Sequence, residues 1–234
     1  MKPTPAARLM EPTRLTFAPA PGRDHVPGLF WLPPGARALF VLAHGAGAGM
    51  EHHFMEDLAA ALAERGIGTL RYQFPYAAAG RRRPDPPALL EATVRAAVAE
   101  AARRAPGLPL LAGGKSMGGR MTSQAQAGPD GVLPGVRGLA FLGFPLHPAG
   151  APATARGAHL ADTRVPLLFL QGERDKLADL ALLRPILEAL GPRAALELVP
   201  EGDHSFAVPK RTGRTEEEVL GWLAERVAAF AARL

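Results

Sequence analysis

The chain of 234 residues is 47% hydrophobic and 21% charged, a globular composition far from disordered or collagen-like sequences. It holds no cysteine, which excludes disulfide frameworks, cysteine-based zinc sites and thiol nucleophiles. The formal charge of +5 comes from 23 Arg and 4 Lys against 22 acids, and its one dense basic run is Arg81-Arg82-Arg83. Without basic residues clustered among aromatic platforms, this balance does not point to nucleic acid.

Leu15–Pro19 and Gly28–Leu32 read as short strands between Pro/Gly turns, an antiparallel edge on a larger sheet. From residue 38 onward, apolar runs alternate with helical patterns at the rhythm of βαβ units. The strands predicted are Ala38–Ala43, Gly68–Gln73, Pro109–Gly113, Val136–Leu142, Pro166–Leu170 and Ala195–Val199. Between them Phe54–Arg65, Pro87–Arg104, Met117–Ala127, Leu177–Leu190 and Thr215–Leu234 read as amphipathic helices, with a short helical turn at Ala155–Ala161. The last helix opens on Thr-Glu-Glu-Glu, which places anions at the positive end of its dipole. No repeat or linker divides the chain, so one three-layer α/β/α domain over 1–234 is expected, with a mostly parallel sheet. About 22 residues separate the strands at 136–142 and 165–170, too few for a large lid.

The N-terminal residues lack the apolar core of a signal peptide, and no run of about 18 apolar residues occurs. A cytoplasmic protein, monomer or small homo-oligomer, with no membrane or nucleic-acid partner is therefore expected.

The segment that carries chemistry is Leu110-Leu111-Ala112-Gly113-Gly114-Lys115-Ser116-Met117-Gly118-Gly119, a strand pattern ending in Gly-x-Ser-x-Gly before a helix. Such a turn from strand to helix is so tight that its flanking positions must be small, and it leaves the serine exposed above the sheet edge. Only three serines occur in the chain, so one of them at this position carries weight. Gly114-Lys115-Ser116 also matches the end of a phosphate-binding loop, but the first glycine of that motif falls at Pro109. An NTPase is excluded on that ground.

A serine nucleophile needs a base, and the base an orienting acid. On sheets of this kind they follow the serine in the order acid, histidine, each from a loop at a strand's C-terminal end. After Val165–Leu170 comes Gln171-Gly172-Glu173-Arg174-Asp175, and after Leu196–Pro200 comes Glu201-Gly202-Asp203-His204-Ser205-Phe206. Asp175 is the acid of choice over Glu173, Asp203 and an Asp179 read as lying inside the next helix, and His204 is the base among seven histidines. An oxyanion hole requires two backbone N–H donors. Met117, directly after the nucleophile, supplies one, and Ala46 or Gly47 in His44-Gly45-Ala46-Gly47-Ala48-Gly49 the other. Phe74 and Tyr76 are expected to wall the substrate site together with Gly47, and Arg82 to meet an acidic substrate group. His44, His52, His53 and Asp57 show no familiar ligand spacing, so neither a metal nor another cofactor is expected.

With strand, elbow, acid and base in order, the sequence resembles the α/β-hydrolase superfamily over nearly its whole length. More narrowly it is similar to the dienelactone-hydrolase-related branch, and within it to bacterial hydrolases related to the testis-expressed and histone-acetyltransferase regulatory-complex subunit proteins. His44–Gly47, Arg71–Tyr76, Gly114–Arg120, Gly143–Pro148, Leu170–Gly172 and Gly202–Phe206 carry that likeness. The resemblance implies an eight-stranded, mostly parallel sheet and a Ser116, Asp175, His204 triad in a serine hydrolase acting on a small ester or thioester. It implies no substrate, and the cysteine chemistry of the dienelactone hydrolases does not carry over. A non-catalytic interaction module that keeps the fold is the alternative, since some eukaryotic relatives are subunits of larger assemblies.

Overall fold

The computed structural model describes residues 11–128 and 132–234. Eight strands, β1 (Thr13–Phe17), β2 (Val26–Trp31), β3 (Ala38–Ala43), β4 (Ile67–Tyr72), β5 (Leu110–Lys115), β6 (Val136–Leu142), β7 (Leu167–Gly172) and β8 (Ala194–Val199), form one sheet. Their order is β1-β2-β4-β3-β5-β6-β7-β8. The pairs β1–β2 and β2–β4 are antiparallel, and all others are parallel. The expected antiparallel edge is thus present, and the rest of the sheet is wound by helical crossovers.

Six helices cover the two faces: α1 (His53–Glu64), α2 (Pro75–Ala78), α3 (Pro87–Arg104), α4 (Met117–Ala127), α5 (Leu180–Leu190) and α6 (Glu216–Ala231). Strand β3 shows how they are paired with the sheet. All six of its residues are buried, and they alternate between two cores at the two-residue period of a pleated strand. Leu39, Val41 and Ala43 pack with Val94 and Val98 of α3 and Met121 of α4, while Phe40 and Leu42 pack with Leu58 of α1 and Leu223 of α6. The continuous apolarity of the central strands follows from this double covering.

Helix α6 begins with a capping box: Thr215 accepts from the Glu218 N–H, and the Glu218 carboxylate accepts from the Thr215 N–H. Helix α5 starts three residues later than its apolar pattern predicts. Asp179 is not inside it but caps it, accepting from the Ala181 N–H at 2.8 Å. The turn expected near residue 155 is a 3-10 stretch over Ala155–Asp162. Helix α2, absent from the sequence reading, is a single turn with Pro75 at its start. Among the described residues no helix is long and apolar enough to cross a membrane.

Candidate active site

The site lies at the C-terminal end of the parallel strands, where β3, β5, β7 and β8 each run into a loop. Ser116 stands between β5 and α4 with φ +50° and ψ −118°, a left-handed conformation that non-glycine residues avoid. The close approach of the flanking backbone explains the glycines around it. A Cβ on Gly114 would stand 2.1 Å from the Ala43 carbonyl oxygen, and one on Gly118 would stand 2.5 Å from the same atom. Any side chain at either position would drive the elbow off the end of β3.

The structure brings Ser116, His204 and Asp175 together. The Ser116 hydroxyl lies 2.8 Å from His204 Nε2, and His204 Nδ1 lies 2.7 Å from Asp175 Oδ2. Asp175 is buried, whereas His204 and Ser116 are half-exposed. The buried carboxylate fixes the tautomer: Nδ1–H donates to Asp175, which leaves the Nε2 lone pair to accept from the Ser116 hydroxyl. Asp175 is itself held by Gln171 Nε2 at 2.5 Å and by the Leu177 N–H at 2.8 Å. Gln171 is fixed in turn, its Oε1 accepting from the Phe144 N–H at 2.9 Å.

The competing acids are occupied elsewhere. Asp203 accepts from the N–H groups of Ser205 and Ala207 and so folds the turn that carries His204. Glu173 accepts from the Glu201 N–H, and Asp179 is the cap of α5. His147 joins the same frame, its Nδ1 donating to the Pro148 carbonyl and its Nε2 accepting from the Asp179 N–H.

Lys115, the variable residue of the elbow motif, is a site residue that the sequence expectations do not include. Its ammonium donates to the His204 carbonyl and lies 5.1 Å from the Phe206 ring centre and 5.9 Å from that of Phe54. Burial lowers its pKa to about 8, against the opposing pull of Asp175 and Asp203. Lys115 therefore pins the histidine loop to the strand that bears the serine. The only sequence signal for it is a cation in a strand whose other residues are apolar or glycine.

The loop after β3 closes the other side. A Cβ on Gly45 would lie 3.6 Å from Ser116 Cβ, so this loop passes directly beside the nucleophile position. Among the described residues, the N–H groups of Ala46, Gly47 and Met117 donate to no backbone carbonyl. The loop is anchored at four points. His44, fully buried, donates from Nδ1 to the Gly45 carbonyl and accepts at Nε2 from the Phe74 N–H. Tyr76 donates to the Ala46 carbonyl at 3.0 Å, Gln73 Oε1 accepts from the Met50 N–H, and buried Arg71 donates to the Met50 carbonyl. Burial holds the His44 pKa below its ordinary value, so both its nitrogens are engaged by backbone in the neutral ring.

This anchoring corrects the expectation for Phe74 and Tyr76. They do not wall the cavity: the turn into α2 tucks both rings beneath the 44–48 loop, where they are buried against each other, His44 and, for Phe74, Tyr72. Arg82 is not at the cavity either. It is exposed on the loop before α3, where its neighbour Arg81 pairs with Asp85 at 2.6 Å. Gly47 and Ala46 do line the cavity, which has a volume of about 720 Å³ and also reaches Ser116 and His204.

Fold, elbow and hydrogen-bonded triplet together define a hydrolase of the α/β class, and the comparisons agree. Residues 36–232 match the family model described as Alpha/beta hydrolase domain, and the chain belongs to that family. Solved structures with the same fold include a dienelactone hydrolase from Anabaena variabilis, at 19% identity and TM-score 0.73, covering 96% of this chain and 99% of that one. Another is an α/β serine hydrolase without lid from Xanthomonas campestris, at 21% identity and TM-score 0.70, with coverage of 94% and 95%. The esterase domain of a Rhodothermus marinus protein aligns at 17% identity and TM-score 0.70, over 96% and 99%.

Proposed function

We propose that the protein is a serine hydrolase that cleaves a small ester or thioester through an acyl-enzyme on Ser116. The observation that carries this reading is the unbroken hydrogen-bond chain from Asp175 through His204 to a serine held in a strained elbow beside an open cavity. His204 Nε2 takes the hydroxyl proton as Ser116 Oγ attacks the carbonyl carbon. The carbonyl oxygen becomes an oxyanion, received by the N–H of Met117 and by that of Ala46, or of Gly47 beside it. His204 then gives its proton to the leaving alcohol or thiol as the tetrahedral intermediate collapses. Water, deprotonated by His204, hydrolyses the acyl-enzyme and restores Ser116. None of these steps calls on a metal or another cofactor.

The narrower likeness, to bacterial relatives of the testis-expressed and acetyltransferase-complex proteins, rests on the segments His44–Gly47, Arg71–Tyr76, Gly114–Arg120, Gly143–Pro148, Leu170–Gly172 and Gly202–Phe206. A cytoplasmic enzyme acting alone or as a small homo-oligomer fits this reading.

A fluorophosphonate probe tests it. Wild-type protein is expected to label, and Ser116→Ala and His204→Ala to lose labelling while keeping the wild-type circular dichroism. Labelling that persists in Ser116→Ala removes the nucleophile. Failure of the folded wild type to label favours the non-catalytic interaction module.

A further inference from the structure

The cavity at Ser116 extends beyond what the catalytic groups occupy. Its lining also includes Phe54 and Met55 of α1, Val219, Leu220 and Leu223 of α6, and Phe206. These six side chains are at most 8% exposed and belong to the core between the sheet and the α1–α6 layer. The cleft therefore borders this core directly beside the reactive serine. A cleft of about 720 Å³ with apolar side chains along part of its lining has the size and character of a small-molecule site.

The polar groups of the lining bear on what that occupant is. Lys115 is the cation nearest the nucleophile, and its ammonium is already bonded to the His204 carbonyl and lies against two aromatic rings. Arg214, Glu216, His52 and His53 are the other ionisable residues of the lining besides His204 itself, and they are half-exposed or exposed. His53 and Glu216 stand at the exposed first positions of α1 and α6, while the buried residues these helices give the lining, Phe54, Met55, Val219, Leu220 and Leu223, are all apolar.

Building on the hydrolase reading above, we infer that the preferred substrate carries an apolar arm, seated against the apolar residues of α1 and α6 while its ester carbonyl sits at Ser116. Both the acyl and the alcohol side of an ester provide such an arm. Its chemistry is the same in either case.

Two substrate series separate the sources: p-nitrophenyl esters from acetate to decanoate vary the acyl side, and alkyl acetates from methyl to octyl vary the alcohol side. In one of them kcat/KM is expected to rise about three- to fourfold per added methylene until the cavity is filled, as each CH₂ leaves water. Leu220→Trp fills the wall and is expected to flatten that rise. Should Leu220→Trp fail to fold, Val208→Trp obstructs the half-exposed rim from a loop and is expected to do the same. A flat response in both series, from enzyme whose Ser116 still labels with fluorophosphonate, overturns the apolar-arm assignment and leaves the hydrolase reading standing. So does a preference for an ω-carboxylate ester over the apolar ester of equal length. Loss of labelling in wild type instead removes the hydrolase reading, and this inference with it.

Discussion

Two serine–histidine pairs occur in this molecule at the same separation, and only one has the surroundings of a nucleophile. Ser116 and His204 approach to 2.8 Å, and so do Ser123 and His159. Ser123 lies within α4 and is fully buried, its hydroxyl donating to the Arg120 carbonyl one turn back. Its only proton is thereby committed, so His159 must donate from Nε2 to the Ser123 oxygen. A histidine that donates has no lone pair with which to accept a proton from that serine. At Ser116 the order is reversed, because Asp175 claims the Nδ1 proton of His204 and leaves Nε2 as the acceptor. Distance alone does not distinguish the pairs; the third group and the backbone conformation of the serine do.

The largest expected effect follows from that contrast. Ser116→Ala should lower kcat by about 10⁴- to 10⁶-fold on any ester the wild type turns over, with what remains due to the N–H donors and binding. Ser123→Ala should leave kcat/KM within about twofold. Comparable losses in the two variants, measured on folded protein with one substrate, would sink the distinction.

Asp175→Asn tests the third group directly. The amide offers Nδ1 of His204 a donor as well as an acceptor and permits the tautomer in which Nε2 carries the proton, as His159 already does. A fall in kcat of about 10⁴-fold with KM little changed is expected. A loss smaller than about tenfold would mean that the imidazole keeps its orientation without the carboxylate.

Much of this arrangement was readable from the chain, for reasons that differ by level. The central strands were legible because burial on both faces demands continuous apolar runs, as in Ala38–Ala43. The elbow and the two following loops were legible because each sits at a strand end with its chemistry in local sequence. What escaped depends on partners far away in the chain. Lys115 meets the carbonyl of His204 across 89 positions, and Tyr76 meets that of Ala46 across 30. No local pattern separates an aromatic that walls a substrate site from one that braces a loop beneath it, which is why the sequence of Phe74 and Tyr76 suggests the former. The start of α5 was a smaller miss with a local signal available, since Asp179 followed by an apolar run has the form of a cap.

The smallest expected effect concerns the second pair and reads out in stability rather than catalysis. Burial, reinforced by the charge of Arg120 and opposed by Asp162, lowers the His159 pKa to about 4 from the ordinary 6.5. Between those values the unfolded chain binds a proton that the folded one refuses, so stability falls as the pH is lowered through this window. Above about 6.5 the contribution is intact, and below about 4 both states are protonated and the loss is complete. His159→Gln can still donate to Ser123 but does not titrate. Thermal melts of the two proteins should therefore run parallel above pH 6.5 and converge below it, the variant losing less with acid. Melts whose separation stays constant from pH 7 to pH 4 would show that His159 takes up its proton without unfolding, and the difference between the pairs would then rest on hydrogen-bond direction alone.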